Sequence, residues 1–286
     1  MPRTELVEIT SDILPQVCTF LAAEIDRGIS AAEFAAAFER RWVHGPSGFA
    51  LLADGVVVGA LSTIRSRRTI RGQRRDLCNL SSWAVAPSFR AFAPAMLRKA
   101  IAEPGVVFTN FTASAAVTDI LRAFRFNEMS TEERVLLPFC RQSRRVATWT
   151  ADPDAIGQRM CVHGREDAAT CVNDHRGTRT KWLLVDFGDE SCAIALHLMR
   201  ARKVPFAYVL YCSAPELFVD SLAVLRSVSR QTWGWRLVAW PGTRFPQASG
   251  TVAVRRPQPV LFKGEDVTAA DLDGLYSELT LLPILR

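Results

Sequence analysis

Val85-Ala86-Pro87-Ser88-Phe89-Arg90-Ala91-Phe92-Ala93-Pro94-Ala95 joins the end of a strand to the start of a helix through small residues. The run Leu77 to Val85 before it reads as a strand, and Ser88 to Ile101 reads as a helix with Met96, Leu97, Ala100 and Ile101 on one side. A strand, a tight turn and a helix N-terminus in that order aim unsatisfied backbone N–H groups and the positive end of the helix dipole at one point, where a phosphate can sit. On its own this is also the description of an ordinary tightly packed βα turn, so the flanks decide. Upstream, Phe49–Asp54 and Val56–Ile64 read as two strands of a hairpin around Asp54-Gly55. Further upstream, Asp12–Asp26 and Ser30–Trp42 have helical spacing, and Ser30 with Glu33 makes a capping box. Downstream, Val106–Thr112 reads as a strand and Ser114–Phe124 as a short helix.

In this order and with these residues the first half of the chain resembles the GNAT superfamily of N-acyltransferases. There a valine ends the fourth strand, a proline follows two residues later, and a loop of the form R-x-x-G-x-G/A opens the next helix; Val85, Pro87, Arg90 and Ala95 fit, with Ala93 in the glycine position. Alanine at 91 and 93 still lets a ligand approach the backbone closely, although alanine adopts positive φ less readily than glycine. The ending Leu121-Arg122-Ala123-Phe124-Arg125-Phe126 is similar to the family's Y-x-K-x-G-F, with Phe126 in place. The resemblance implies acetyl-CoA or another acyl-CoA as co-substrate, held by Trp83, Ala84, Val85, Arg90, Ala91, Phe92, Ala93, Ala95, Asn110 and Ser114. It also implies attack by an acceptor amine, or less often a hydroxyl, on the thioester, with a backbone N–H of the Trp83–Val85 edge stabilising the oxyanion.

The second half repeats the first. A shift of 128 residues lays Ala86-Pro87 over Ala214-Pro215 and Ala95, Leu97 and Arg98 over Ala223, Leu225 and Arg226, with matching strands at Phe206–Tyr211 and Trp235–Trp240. Lys181–Asp186 and Cys192–Met199 flank a turn as Phe49–Ile64 does. The expected architecture is therefore α/β (α+β), two GNAT-like modules, each a mixed, mostly antiparallel sheet flanked by helices. An acyl-CoA-binding module over 1–140 and a degenerate one over 151–286 are expected, with Arg141–Asp154 as linker and Asp266–Leu282 as a closing helix capped by Thr268. In the second module Phe218, Val219, Asp220 and Ser221 stand at the phosphate-loop positions, where Asp220 would repel a pyrophosphate.

The catalytic groups the family usually carries are displaced here. Its common glutamate, six residues before the strand-ending valine, corresponds to Asn79, and the tyrosine that protonates the leaving thiolate corresponds to Leu121. Asp76 is the nearest carboxylate and Ser81 a polar neighbour, so Asn79, Asp76 and Ser81 are the candidate catalytic residues. Loss of the usual acid and base also motivates a different class, a non-catalytic GNAT-like binding or scaffold protein, and aminoacyl transfer from charged tRNA is a third reading. The net charge is +6, and Arg65, Arg67, Arg68, Arg71, Arg74 and Arg75 crowd eleven positions, either as a solvated hairpin loop or as an anion-binding flap for CoA or an acidic acceptor. No aromatic residue alternates with them as a stacking platform would require, so the expected acceptor is a small or sugar-like molecule and nucleic acid is not expected. Cys161-x-His163 and Cys171-x-x-x-His175 lack the opening of a structural zinc site, so no metal is expected. No apolar run reaches the roughly 18 residues of a membrane span, no signal-peptide pattern opens the chain, and seven dispersed cysteines suit a reducing cytoplasm.

Overall fold

The computed structural model describes residues 2–25, 28–40, 42–137, 145–201, 204–235, 237–242, 244–256 and 258–283. In chain order the first elements are β1 (Thr4–Glu8), α1 (Leu14–Glu24), α2 (Ala31–Glu39), β2 (Gly48–Ala53), β3 (Val56–Ile70), β4 (Gln73–Val85), α3 (Ala93–Ala100), β5 (Val107–Asn110), α4 (Ala115–Ala123) and β6 (Asn127–Glu128). Then come β7 (Glu132–Leu136), β8 (Thr148–Thr150), α5 (Pro153–Val162), α6 (Glu166–Asp174), β9 (Lys181–Asp186), β10 (Ser191–Ala201) and β11 (Val204–Cys212). The chain closes with α7 (Phe218–Gln231), β12 (Leu237–Pro241), β13 (Thr251–Arg255), β14 (Leu261–Lys263) and α8 (Glu278–Leu281).

Two seven-stranded sheets result, ordered β1-β2-β3-β4-β5-β14-β6 and β8-β9-β10-β11-β12-β7-β13. Each has four antiparallel strands, one parallel step (β4 to β5, β11 to β12), and then two antiparallel strands. The expected repeat is therefore present, and Pro87 and Pro215, the residues superposed by the 128-residue shift, each open a 3-10 turn between strand and helix.

The division into halves is not a single cut, and this corrects the expected boundaries of 1–140 and 151–286. One compact unit comprises the chain up to Met129 with Val260–Val267 and the segment from Tyr276, and the other comprises Ser130–Pro259 with Thr268–Leu275. The sixth strand of each sheet comes from the opposite half of the sequence: β14 pairs with β5 and β6, and β7 pairs with β12 and β13. Burial explains the placement. Leu261 of β14 is fully buried in the first core with Phe108, Leu121 and Phe126, whereas Leu136 of β7 is buried in the second with Val238 and Trp240. Part of the expected 141–154 linker lies outside the described residues, and its end forms β8 and the start of α5. The closing helix is also corrected: Thr268 and Asp271 do form a capping box, but over a 3-10 turn, and only Glu278–Leu281 is α-helical. The strand β1 was not anticipated; it pairs with β2 from Thr4↔Ala53 to Glu8↔Phe49.

Turn chemistry sets the hairpins of the first unit. Asp54 and Gly55 have φ of 48° and 82°, and Arg71 and Gly72 have 50° and 77°, the paired positive φ of a two-residue turn that follows strand twist. Five of the six clustered arginines accordingly lie along β3 and β4, and Arg71 sits in the turn between them. Among the described residues no helix is long and apolar enough to cross a membrane.

Because β14 completes the first core, Leu261→Ala should destabilise the N-terminal sheet, by about 2–5 kcal/mol; hydrogen exchange should show lost protection at Val107–Asn110 with β12 spared. In the second unit His175 is buried, with Nδ1 2.8 Å from Cys171 O and Nε2 2.9 Å from Leu275 O. Burial holds its pKa below the usual 6.5, against the opposing pull of the two carbonyls and of Asp174 and Asp273. The folded form thus binds fewer protons than the unfolded one below about pH 6.5, so stability of this unit should fall as pH drops through that range. Urea unfolding of the wild type and His175→Gln between about pH 5 and 7.5 should show the slope attenuated in the variant.

Candidate active site

The site is built where β4 and β5 part. Their parallel ladder runs from Leu77↔Val107 to Asn79↔Thr109 and stops there because the next residue, Asn110, spends its side chain on the ladder: Nδ2 donates to Leu80 O at 2.8 Å. On the other side of β4 the register with β3 steps from Thr63↔Leu80 to Leu61↔Trp83, so Ser81 and Ser82 bulge opposite Ser62. A bulge bends the strand locally and re-aims its side chains. Beyond Asn79, the edge of β4 that faces away from β3 has no strand partner among the described residues.

Two cavities open along that edge. The larger, of about 390 Å³, is lined by Trp83, Ala84, Val85, Arg90, Ala93 and Ser114 among others, and the second, of about 230 Å³, by Ser81, Asn110, Thr112 and Glu278. Trp83 and Ser114 line both. Ser114 also N-caps α4, its Oγ accepting from Val117 N at 3.3 Å. Of the residues expected to hold the cofactor, seven therefore surround these spaces. Ala91, Phe92 and Ala95 do not; they are exposed and line neither cavity. The reason is local: the segment read as one helix from Ser88 begins as a 3-10 turn, Pro87–Phe92, and α3 starts only at Ala93, whose N–H is already given to Arg90 O. One phosphate donor of the anticipated loop is thus internally satisfied, and Pro94 supplies none.

The expected catalytic set is rearranged more deeply. Asp76 faces Arg67 across the β3–β4 ladder and accepts from its Nε at 2.6 Å and its Nη2 at 3.2 Å, at the exposed arm of the hairpin. It is an ion-pair partner, not a base at the cavity. Leu121 is fully buried in the core. Asn79, by contrast, is central. Its Oδ1 accepts from Thr109 Oγ1 at 3.2 Å, which turns its amide nitrogen toward the Glu278 carboxylate. Thr112 Oγ1 donates to the other oxygen of Glu278, and Thr112 N donates to Asn110 Oδ1 at 3.2 Å. Glu278 is 1% exposed and lines the 230 Å³ cavity. A carboxylate 199 positions away in sequence is thus set against Asn79.

Glu278 was not among the sequence candidates. The one available signal was its isolation: it is the only charged residue between Gly274 and Ile284, set among Leu275, Tyr276, Leu279, Leu281 and Leu282 behind a capping serine. Ser277 does cap α8, accepting from Leu279 N at 3.3 Å. Carboxylates rarely enter such surroundings unless hydrogen-bonded.

The arginine cluster divides. Arg67 pairs with Asp76, Arg75 lies 3.7 Å from Asp266, and Arg68 sits over the Tyr276 ring at 5.2 Å. Arg65 is the inward one, 13% exposed and 2.7 Å from Glu103.

In the second unit the residue that the 128-residue shift lays over Arg90 belongs to the core. Phe218 is fully buried, stacked on Phe245 at 4.2 Å and edge-on to Trp240 at 5.2 Å, while Ser221 Oγ donates to Leu217 O at 2.9 Å.

No protein-family model and no curated protein matches the sequence. Solved structures do. A GCN5-related N-acetyltransferase from Anabaena variabilis matches with TM-score 0.63 and 11% identity, over 91% of this chain and 72% of that one. A conserved protein from Enterococcus faecalis, described as a probable N-acyltransferase, gives TM-score 0.61 at 9% identity over 92% and 72%. A tandem GNAT protein from the clavulanic acid biosynthesis pathway gives 0.50 at 12% identity, over 93% of this chain and all of that one. Sheet order, strand splay and these likenesses agree: the chain has the fold of the GNAT superfamily, present twice as tandem modules.

Proposed function

We propose that the first unit is an acyl-CoA-dependent N-acyltransferase and that Glu278 is its general base. The observation that carries this reading is the Asn79–Glu278 hydrogen bond, which puts a buried carboxylate at the splay between β4 and β5. The residues suit an acyl-CoA: the unpaired edge of β4 borders the 390 Å³ groove, and the indole Nε1 of Trp83, which lines both cavities, is buried without an acceptor among the described residues. When bound, the thioester supplies an activated acyl carbon and a thiolate leaving group.

The protein's part is positioning and proton transfer. Backbone N–H groups at Trp83–Val85 stabilise charge on the carbonyl oxygen. Glu278 takes the proton as the amine nitrogen forms the C–N bond; the C–S bond breaks with its electron pair on sulfur, so charge balances. Thr112 and Asn79 aim the carboxylate without competing for the proton, being donors to it. Leu121, apolar where a proton donor is usual, leaves the thiolate to be protonated by water. That same leucine, with the internally bonded loop, is what favours the alternative of binding without catalysis.

Glu278→Gln keeps the shape and one acceptor oxygen, so CoA affinity should change little while kcat falls by about 10²- to 10⁴-fold. Thiol release from acetyl-CoA with a panel of amines, beside calorimetry with CoA, separates the two effects; CoA binding with no release by the wild type would favour the non-catalytic reading. Asp76→Asn should leave kcat within a few-fold, because its carboxylate is committed to Arg67. Ala93→Arg, which fills the groove, should abolish CoA binding, and binding unaffected by it would move the cofactor site elsewhere.

A further inference from the structure

A third, smaller cavity adjoins the one that holds Glu278. It is lined by Phe34 and Phe38 of α2, Gly45 and Pro46 of the following loop, and Ser62 to Arg65 of β3; Ser81, Ser82 and Leu282 line both this space and the 230 Å³ cavity. At about 40 Å³ for solvent it holds on the order of three waters. That is room for a carboxylate, not for a sugar ring or a phosphate ester with its substituent.

Its charged wall is unusual. The Arg65 side chain is largely buried; Nη1 binds Glu103 at 2.7 Å, but Nε is buried with no acceptor among the described residues. The guanidinium lies against Gly45: a Cβ there would come within 2.6 Å of Arg65 Cδ and 3.0 Å of Nε. A buried N–H left without a partner costs about 1–3 kcal/mol, so an acceptor arriving there is rewarded. Glu103 already neutralises part of the cation, which suits a singly charged anion. Arg40 also lines the space, and two of the hydroxyl protons there are engaged, Thr63 Oγ1 donating to Pro46 O at 2.7 Å and Ser62 Oγ to Ser82 O at 3.4 Å. Of the two arginines there, Arg65 is the one with a buried N–H that lacks an acceptor among the described residues.

We infer that the acceptor amine carries a carboxylate, as an amino acid does, and that Arg65 receives this carboxylate while the amine reaches past Ser81 and Ser82 to Glu278. The inference rests on the acyl-transfer reading for its chemistry but not for its binding. Arg65 acts as a specificity residue: it fixes the acceptor end remote from the reacting nitrogen, leaving the transfer itself as written above, with the amine proton going to Glu278 and the electron pair to sulfur.

The test uses the full chain with acetyl-CoA and two matched acceptor series, the proteinogenic amino acids and their carboxamides, read both by CoA release and by calorimetry in the presence of CoA. Amides have the less basic amine and are the better intrinsic acceptors near neutral pH, so preference for the acids can only come from the site. At least one amino acid should bind and react about ten-fold or more better than its amide in kcat/KM. Arg65→Met should erase that ratio through KM with kcat toward the amide kept, and Arg65→Lys should restore part of it. The acid–amide comparison needs no variant, so it stands even where Arg65→Met fails to fold. Equal use of acids and amides overturns the inference and leaves the transferase. Carboxylate-dependent, Arg65-dependent binding with no CoA release overturns the transferase and leaves the anion site. Absence of both overturns both.

Discussion

The burial of one carboxylate organises the first unit. Glu278 is held by donors from two diverging strands, Asn79 on β4 and Thr112 just after β5, and it reaches them because α8 follows a segment that has already added β14 to the same sheet. An ionised carboxylate removed from water costs several kcal/mol unless its oxygens are hydrogen-bonded. Here each oxygen has a donor, and the donors themselves are fixed by Thr109 and Asn110. The gap between β4 and β5 is thereby lined by a buried, fully hydrogen-bonded carboxylate.

That constraint explains why an asparagine at position 79 fits the fold. A glutamate there would meet Glu278 in the same buried space, and two like charges at such a distance cannot both stay ionised. An amide bridges the requirement: it accepts from Thr109 on one side and donates to the carboxylate on the other. Similar reasoning applies to Asp76, which sits on the same strand but is drawn into a forked pair with Arg67 where the hairpin is open to water.

The two units diverge through filling rather than topology. Sheet order and the 3-10 turn after the central strand are shared, yet the first keeps small residues, Ala84, Val85 and Ala93, around its groove, while the second closes the equivalent position with Phe218 packed on Trp240 and Phe245. Aromatic packing of this kind contributes large buried area and specific ring contacts.

What the sequence determined was everything carried by local chemistry. Asp54-Gly55 specified a hairpin, Ser30 with Glu33 and Ser114 capped their helices, the strand to Val85 with the proline two residues on located the βα junction, and the 128-residue repeat declared two modules. Trp83–Val85, Arg90 and Ala93, which line the groove, sit on that junction, whereas Asn110 and Ser114, at the end of β5 and the cap of α4, were expected from the family resemblance alone. What only the tertiary structure decided was which distant segments complete each sheet and which carboxylate is buried beside Asn79. Pairing of β14 with β5 and of β7 with β12 depends on which apolar faces meet, a non-local choice that periodicity along one strand cannot encode. Glu278 is read in sequence as a stray charge in an apolar tail; it becomes a functional candidate only when folding sets it against Asn79 and Thr112, because the free energy of burying a charge is settled by the partners it finds in space.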